Sequence, residues 1–477
     1  MARQLNIGNP VVEYINIEAA TGAFDLIPHL EELNIYENIF SSSLTAHITL
    51  NDSVNLPFNL PILGEETINC KIRMEGDEAS PKEPRIVKPP SLHIYNLSDR
   101  FLRTDNPDSE RFSLDLISEQ GMSNLHAKVS KAYSGMTADQ IVTDIWYRYL
   151  DHGGMTLTTE KSERMEQCII PNWTPFKTFN WLASRASTEI SKPICNYVYF
   201  ETMDHTYFYS LNTLATQVPT LTLMLEASVV DPHKITGLAG GLIKVNEILY
   251  LNQFDKIDNL TTGQYASKLI THDILKKQIR QSDYYSYDWD DANHLGPHPP
   301  FANSISEVQT GNNPRISYAP PFDINTHIAE GNRLTDFTDS HVAFYPKHDK
   351  MYGDNSSMEY DNQVEKWRLQ RNAHMSLYKG IKMQVRCGGF HAARVGTTVN
   401  LIVPAPQGCI RPEEAYDKAL TGRYMITAIR HIIGNEKGEI AYKMDLELVK
   451  DGLNVKPVLR EPRKKGAEPE ESESYHV

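Results

Sequence analysis

The chain has 477 residues, with 61 acidic against 47 basic side chains and a net charge of −14. That balance, with no basic stripe able to neutralise phosphates, argues against specific nucleic-acid binding. No run of about 18 apolar residues exists to span a bilayer, and five scattered cysteines without a CxxC pair argue against a disulfide scaffold or a cysteine zinc site.

At roughly 100–200 residues per domain, the length suggests two to four domains. The start, Met1-Ala2-Arg3-Gln4-Leu5-Asn6, lacks the apolar stretch of a signal peptide, so folding in a reducing cytoplasm is expected. Strand patterns come first: 11–17, 30–36, and Leu44-Thr45-Ala46-His47-Ile48-Thr49-Leu50, which alternates with period two as a half-buried strand does. Asn51-Asp52-Ser53 supplies turn chemistry. Further strands are expected at 67–74, 92–97 and 111–117, around a polar, proline-rich loop at 75–90. Residues 1–122 therefore read as an all-β domain.

The texture then changes. Thr137 followed by Gln140 is a capping-box pattern, and Ile141, Val142, Ile145, Trp146 and Tyr149 recur behind it at helical spacing. A second helix starts at Thr174-Pro175, with Phe176, Phe179, Leu182, Ala183 and Ala186 as its apolar stripe. Aromatic strands at 197–201 and 207–211 complete an α/β insert over 123–215. Residues 216–280 read as strands plus a helix at about 262–277, contributing to a second β domain. Residues 281–358, poor in aliphatics and rich in Tyr, Asp, Asn, Pro and His, read as an irregular arm. A helix at 359–378 ending at Gly380 and strands from 381 to 449 fill 359–452, and 453–477 reads as a disordered, charged tail. Its basic residues Arg460, Arg463, Lys464 and Lys465 read as a solvated cluster.

The first and last β segments repeat each other. Thr67-Ile68-Asn69-Cys70-Lys71-Ile72 matches Thr398-Val399-Asn400-Leu401-Ile402-Val403, and Phe112-Ser113-Leu114-Asp115-Leu116 matches Tyr442-Lys443-Met444-Asp445-Leu446. Between them each copy holds one more tyrosine-bearing strand, at Leu92-His93-Ile94-Tyr95 and at Gly422-Arg423-Tyr424-Met425-Ile426. Alternating strands resemble one another easily, because Thr, Ile, Val and Leu are what strands use. Two matches at nearly equal spacing are harder to obtain by accident. A chain with a duplicated β domain presents two similar modules, so a ring of three presents six.

This order of elements resembles the baseplate hub family of contractile-tailed bacteriophages, together with the related late-control and tube-initiator proteins. The likeness is carried by the stretch Leu30 to Phe40 running into Leu44–Leu50, by Pro171-Asn172-Trp173-Thr174-Pro175-Phe176 with Trp181-Leu182-Ala183, by Asn252-Gln253-Phe254-Asp255 with Gly263-Gln264-Tyr265, and by Gly422-Arg423-Tyr424-Met425-Ile426 with His431. The resemblance implies a β-rich α+β fold: two similar antiparallel β-barrel-like tube domains, an inserted α/β domain and a long irregular arm. It implies a structural virion protein of the tail baseplate, a homotrimeric, pseudo-hexameric ring that joins the tail tube protein to the central spike protein. Other baseplate proteins would contact it, and DNA would pass through its channel without specific binding.

Chemistry-bearing patterns are weak. His294 and His298 sit in a Pro/Gly loop without a ligand pattern, so they read as loop histidines and not a metal site. Gly237, Gly240 and Gly241 lack the Lys-Ser/Thr of a phosphate loop, and neither a Gly-x-Ser-x-Gly elbow nor HExxH occurs. Trp173 and Trp181 read as packing anchors before sugar-stacking residues. No catalytic residue, cofactor or metal is expected, and the chain reads as a non-enzyme. Two other readings remain: a carbohydrate-binding tail adhesin, motivated by Tyr284, Tyr285, Tyr287 and Trp289, and a peptidoglycan-hydrolase hub, whose carboxylate pair spacing alone does not reveal.

Overall fold

A computed structural model describes residues 9–453, apart from 20–21, 61, 76–84, 103–108, 152–154, 164, 189–194, 226–240, 254, 275–276, 286–293, 297–307, 311–312, 316–337, 348–363, 391–392, 405–415, 418–419 and 437–438. The chain opens with β1 (Asn9–Ala19), β2 (Gly22–Asp25), β3 (Leu30–Asn38), β4 (Thr45–Asp52), α1 (Leu56–Asn59), β5 (Thr67–Glu75), β6 (Arg85–Val87), β7 (Leu92–Leu102) and β8 (Glu110–Ser118). Alternation does what the sequence suggests. Ala46, Ile48 and Leu50 of β4 point to one core with Leu33 and Ile35 of β3 and Phe112, Leu114 and Leu116 of β8. Each such Leu, Ile or Phe contributes about 1.5–3 kcal/mol on leaving water.

Next come α2 (Glu119–His126), β9 (Val129–Thr137), α3 (Ala138–Tyr149), β10 (Thr156–Thr159), β11 (Met165–Trp173), α4 (Pro175–Ala183), β12 (Tyr197–Glu201), β13 (His205–Ser210) and α5 (Leu211–Ala215). At the start of α3, Gln140 reaches back to accept the Thr137 N–H at 3.1 Å, half of the capping-box exchange. The stripe Ile141, Val142, Ile145 and Trp146 packs with Phe179 and Leu182 of α4 and Tyr197 and Phe208 in a core of its own.

The remainder holds β14 (Leu221–Leu225), β15 (Gly241–Asn252), α6 (Lys256–Thr261), β16 (Ala266–Asp273), β17 (Gln278–Tyr285), β18 (Val308–Thr310), β19 (Asn313–Arg315), β20 (Val342–Lys347), α7 (Val364–Leu377), β21 (Ile381–Gly388), β22 (Thr398–Ile402), β23 (Gly422–Glu436) and β24 (Glu439–Lys450). The helix expected at 262–277 is a strand, β16. After the buried Ala266, its inward positions are Ser267, Leu269, Thr271 and Asp273, alternating with period two. Counting aliphatics there hides the period, because three of the four inward residues are polar. The helix present, α6, lies earlier and is shorter. Asp255 caps it, its carboxylate accepting from Ile257 N at 3.1 Å and Asp258 N at 2.9 Å. Moreover β16 joins β17 and β20 in a separate three-stranded sheet, so only β14 and β15 of 216–280 enter the large sheet. The described parts of 281–358 are not wholly irregular either, since β18, β19 and β20 fall there. The rest of that stretch, and 454–477, lie outside the described residues.

One fourteen-stranded sheet organises the molecule. Its order is β2-β1-β5-β7-β8-β4-β3-β23-β22-β14-β15-β21-β24, with β6 on β5, and β23 also pairs with β24. That last pairing closes β23, β22, β14, β15, β21 and β24 into a six-stranded barrel, which removes its free edges except where a strand overruns its neighbour. The sheet is therefore a β-rich α+β fold in which an open first module lies beside a closed second one.

Candidate assembly interface

The two modules repeat strand for strand. In the first, β3, β4, β8, β7 and β5 lie side by side, each antiparallel to the next. In the second, β15, β21, β24, β23 and β22 do the same, in the same chain order. Two of the irregularities coincide too, although β7 shifts again between Ser98 and Phe101 and β15 between Tyr250 and Asn252 without a counterpart. The β7 ladder pairs Ile94 with Leu116 and then Asn96 with Asp115, skipping Tyr95. The β23 ladder pairs Ile426 with Leu448 and then Ala428 with Glu447, skipping Thr427. Likewise β3 skips Glu31 between Leu30 and Glu32, and β15 skips Asn246 between Val245 and Glu247. Bulges are specific features of a ladder, so two at matching positions argue for a duplicated module far more strongly than shared strand composition.

The ladders also correct the register of the repeat. Thr67 pairs with His93 and Thr398 with Met425, and Ile94 and Ile426 then occupy matching positions, so the first anchor holds. The last strand shifts by two: Phe112 corresponds to Met444, not Tyr442. A period of two makes registers that differ by two residues indistinguishable from sequence alone. The sixth strands differ in direction. β1 runs antiparallel to β5, whereas β14 runs parallel to both β22 and β15.

The modules join edge to edge. Glu32–Asn38 of β3 pairs antiparallel with Ala428–Gly434 of β23, and Ile39 N donates to Thr427 O at 3.0 Å. On one side Arg430 clamps β3, with Nε donating to Asn34 Oδ1 at 2.8 Å and a second nitrogen donating to Glu32 Oε1 at 3.0 Å. On the buried side stands a charged cluster. Glu37 Oε1 lies 3.7 Å from His431 Nε2, and neither side chain is exposed. The Glu37 carboxylate accepts from Met203 N at 3.0 Å and Val395 N at 3.3 Å. His431 Nδ1 lies 2.8 Å from Tyr442 Oη. Burial alone pushes Glu37 up, but His431, Arg394 and the Met203 amide together outweigh it and hold the carboxyl below its ordinary range. Arg394 in turn donates to Asp204 at 2.7 Å.

This cluster also ties the insert to the junction, because Met203 and Asp204 form the β12–β13 turn. Glu201, at the end of β12, is a second tie. It accepts from Leu44 N at 2.9 Å and Ser118 Oγ at 2.6 Å, while Ser118 Oγ accepts the Gly121 amide that starts α2. Burial pushes Glu201 up to about 7. The third tie is Arg371 of α7, which donates to the main-chain oxygens of Ala183 at 3.1 Å, Cys195 at 2.8 Å and Tyr197 at 3.3 Å. Burial lowers its pKa to about 10.

The sequence assigns no buried role to Glu37, His431, Glu201 or Arg371; Glu37 and His431 stand there only within stretches that carry the resemblance. A signal existed for two of them. Glu37 continues the inward series Leu33, Ile35, Ile39, and His431 stands between Ile429 and Ile433; a charged residue on an apolar face needs a partner. His294, read as a loop residue, sits with its Nδ1 2.8 Å from Asp451 Oδ2, and its carbonyl accepts from Arg423 at 2.7 Å. Trp173 and Trp181 meet edge to face at 5.8 Å, with Lys177 and Arg185 over their rings, packed on the insert core. His298, Gly237, Gly240, Tyr287 and Trp289 lie outside the described residues. Among the described residues no cluster of three His, Cys, Asp or Glu is placed to hold a metal, and no helix is long and apolar enough to cross a membrane.

No family model and no curated protein matches the sequence. Solved structures do match. The tail protein from Neisseria meningitidis MC58 is 10% identical, with a TM-score of 0.50 over 93% of this chain and 98% of that one. The 43 kDa tail protein of prophage MuSo2 from Shewanella oneidensis is also 10% identical, with a TM-score of 0.51 over 92% and 99%. The chain has a phage tail protein fold. At such low identity the likeness is one of architecture, and it spans nearly the full length of both tail proteins.

Proposed function

We propose that this chain is a structural subunit of a phage tail baseplate: a hub ring that joins the tail tube to the central spike and leaves an axial channel for DNA. The observation that carries the reading is the duplicated module, with matching strand order and matching bulges in one chain. Three copies in a ring present six similar modules, which suits a part that meets a sixfold tube on one side and a threefold spike on the other. The tail protein fold supports the tail context. The division of labour proposed is two tube-type modules, from 1–122 and from parts of 216–280 and 359–452, with other baseplate proteins contacting the subunit. The role is assembly and needs no catalytic residue. A net negative charge keeps DNA from adhering as it passes. The subunit is assembled in the host cytoplasm and resides in the virion.

Native mass measurement and electron-microscopy class averages of the purified chain test this. A ring of three with sixfold features is expected. A persistent monomer at high concentration counts against it.

A further inference from the structure

The junction β3–β23 uses one edge from each module, and each module keeps the counterpart of the edge its neighbour used. The counterpart of β23 beyond its bulge is β7 from Asn96 onward; that of β3 is β15 from Glu247 onward. Among the described residues, Asn96–Leu102 has only β8 as a ladder neighbour and Glu247–Asn252 only β21. Among the described residues the complementary pair of edges thus occurs twice, once joined and once free.

Burial tells the two pairs apart. In the joined pair Asn34 is 3% exposed and Thr427 1%. Their counterparts at the free edges are Leu249, 50% exposed, and Tyr95, 56% exposed. Phe101, Tyr250 and Leu251 are also large and exposed there. Long, apolar open edges are what isolated sheets avoid, by charge or by cover.

We propose that a second copy of this chain lays its β15 edge antiparallel on the β7 edge, head to tail, in the register the molecule already uses between β3 and β23. The number of copies rests on the ring reading above; the choice of edges and the register do not. In the joined pair Arg430 faces Tyr36 and Ile432 faces Asn34. Carried through the ladders of β7 on β8 and β15 on β21, across the shifts after Ser98 and before Asn252 that β23 and β3 lack, these pairs set Ser98 opposite Asn252 and Phe101 opposite Leu249 of the neighbouring copy. The second pair sets two exposed apolar side chains against each other, where cross-strand contact is strongest. A heterologous contact of this kind repeats from copy to copy and closes only as a ring.

Cysteine cross-linking between copies tests the register. Chains carrying S98C are mixed with chains carrying N252C, and F101C with L249C, under mild oxidation. Matched mixtures are expected to give at least fivefold more disulfide dimer than the mismatched S98C with L249C. A chain carrying both S98C and N252C should give a covalent closed oligomer on a non-reducing gel. L249K should weaken association at least tenfold with an unchanged circular dichroism spectrum and melting temperature. If native mass shows a ring but matched and mismatched mixtures link equally, the edge assignment falls while the ring reading stands. If the wild-type chain stays monomeric at high concentration, both fall.

Discussion

Glu37 and His431 face each other at 3.7 Å across the junction of the two modules, both wholly buried. The pair sits where β3 meets β23, and its carboxylate also receives amides from the insert and from the segment before β22. One side chain therefore holds three parts of the chain together, and the pH dependence of that hold has a definite sign. The folded pKa lies below the ordinary 4.5. A depressed carboxyl contributes stability that is complete above the unfolded value and is lost as pH falls through the folded one. Glu37→Gln should cost about 2–4 kcal/mol at pH 7, since buried amides and cations lose a charged acceptor. The gap to wild type should narrow as pH falls below 4.5. Urea midpoints at neutral and acid pH check this, and a gap that does not change with pH refutes it.

Glu201 predicts the opposite slope. Its folded pKa of about 7 lies above the ordinary 4.5, so between these values the folded chain holds a proton that the unfolded chain has released. Stability on this account falls as pH rises from 4.5 to 7 and levels off above. Glu201→Gln keeps an acceptor for Leu44 N and Ser118 but has no proton to lose. It should match wild type near pH 4.5 and exceed it above pH 7 by up to about 3 kcal/mol. Thermal melts across pH 5–8 read the difference, and a variant less stable than wild type at pH 8 would sink the argument.

Gly389 carries a prediction about space. A Cβ there would stand 2.1 Å from the Tyr442 ring, the ring that stacks on His431. Gly389→Ala must push Tyr442 aside, at a cost of about 1–3 kcal/mol. Shrinking the obstacle should recover part of the loss, so G389A with Y442L should be less damaging than the sum of the single changes. Strict additivity would mean the ring is not what the methyl meets.

How far the sequence revealed this architecture depended on which interactions were local. Alternation in 44–50 and the capping pattern at Thr137 and Gln140 act within one element, and the strand and helix stand where those patterns put them. At 262–277 the period was masked because Ser267, Thr271 and Asp273 are inward-facing and polar, and a strand was read as a helix. The repeat was legible as composition, but its last strand was two residues out of register, since Tyr442 and Met444 share a face. The β3–β23 junction was not legible at all. It pairs residues nearly 400 apart, and only the odd placement of Glu37 and His431 on apolar faces hinted at a buried partner. Arg371 gave no hint, because its acceptors are main-chain oxygens that any sequence possesses.

Arg371 yields the last prediction. Its guanidinium satisfies three carbonyls between α4 and β12 at once, while Trp367, Leu369 and Val364 of the same helix pack against Cys195 and Leu269. The helix therefore fastens the insert to the small sheet of β16, β17 and β20. Arg371→Met keeps most of the apolar stem but leaves those oxygens buried without donors, at about 1–3 kcal/mol for such groups. The loss should be local, because this helix packs chiefly on β16 and β17. Amide hydrogen exchange should quicken in β12 and around Ala183 while β23 and β24 keep wild-type protection. Equal quickening in the barrel would mean that Arg371 supports the whole fold and not this one attachment.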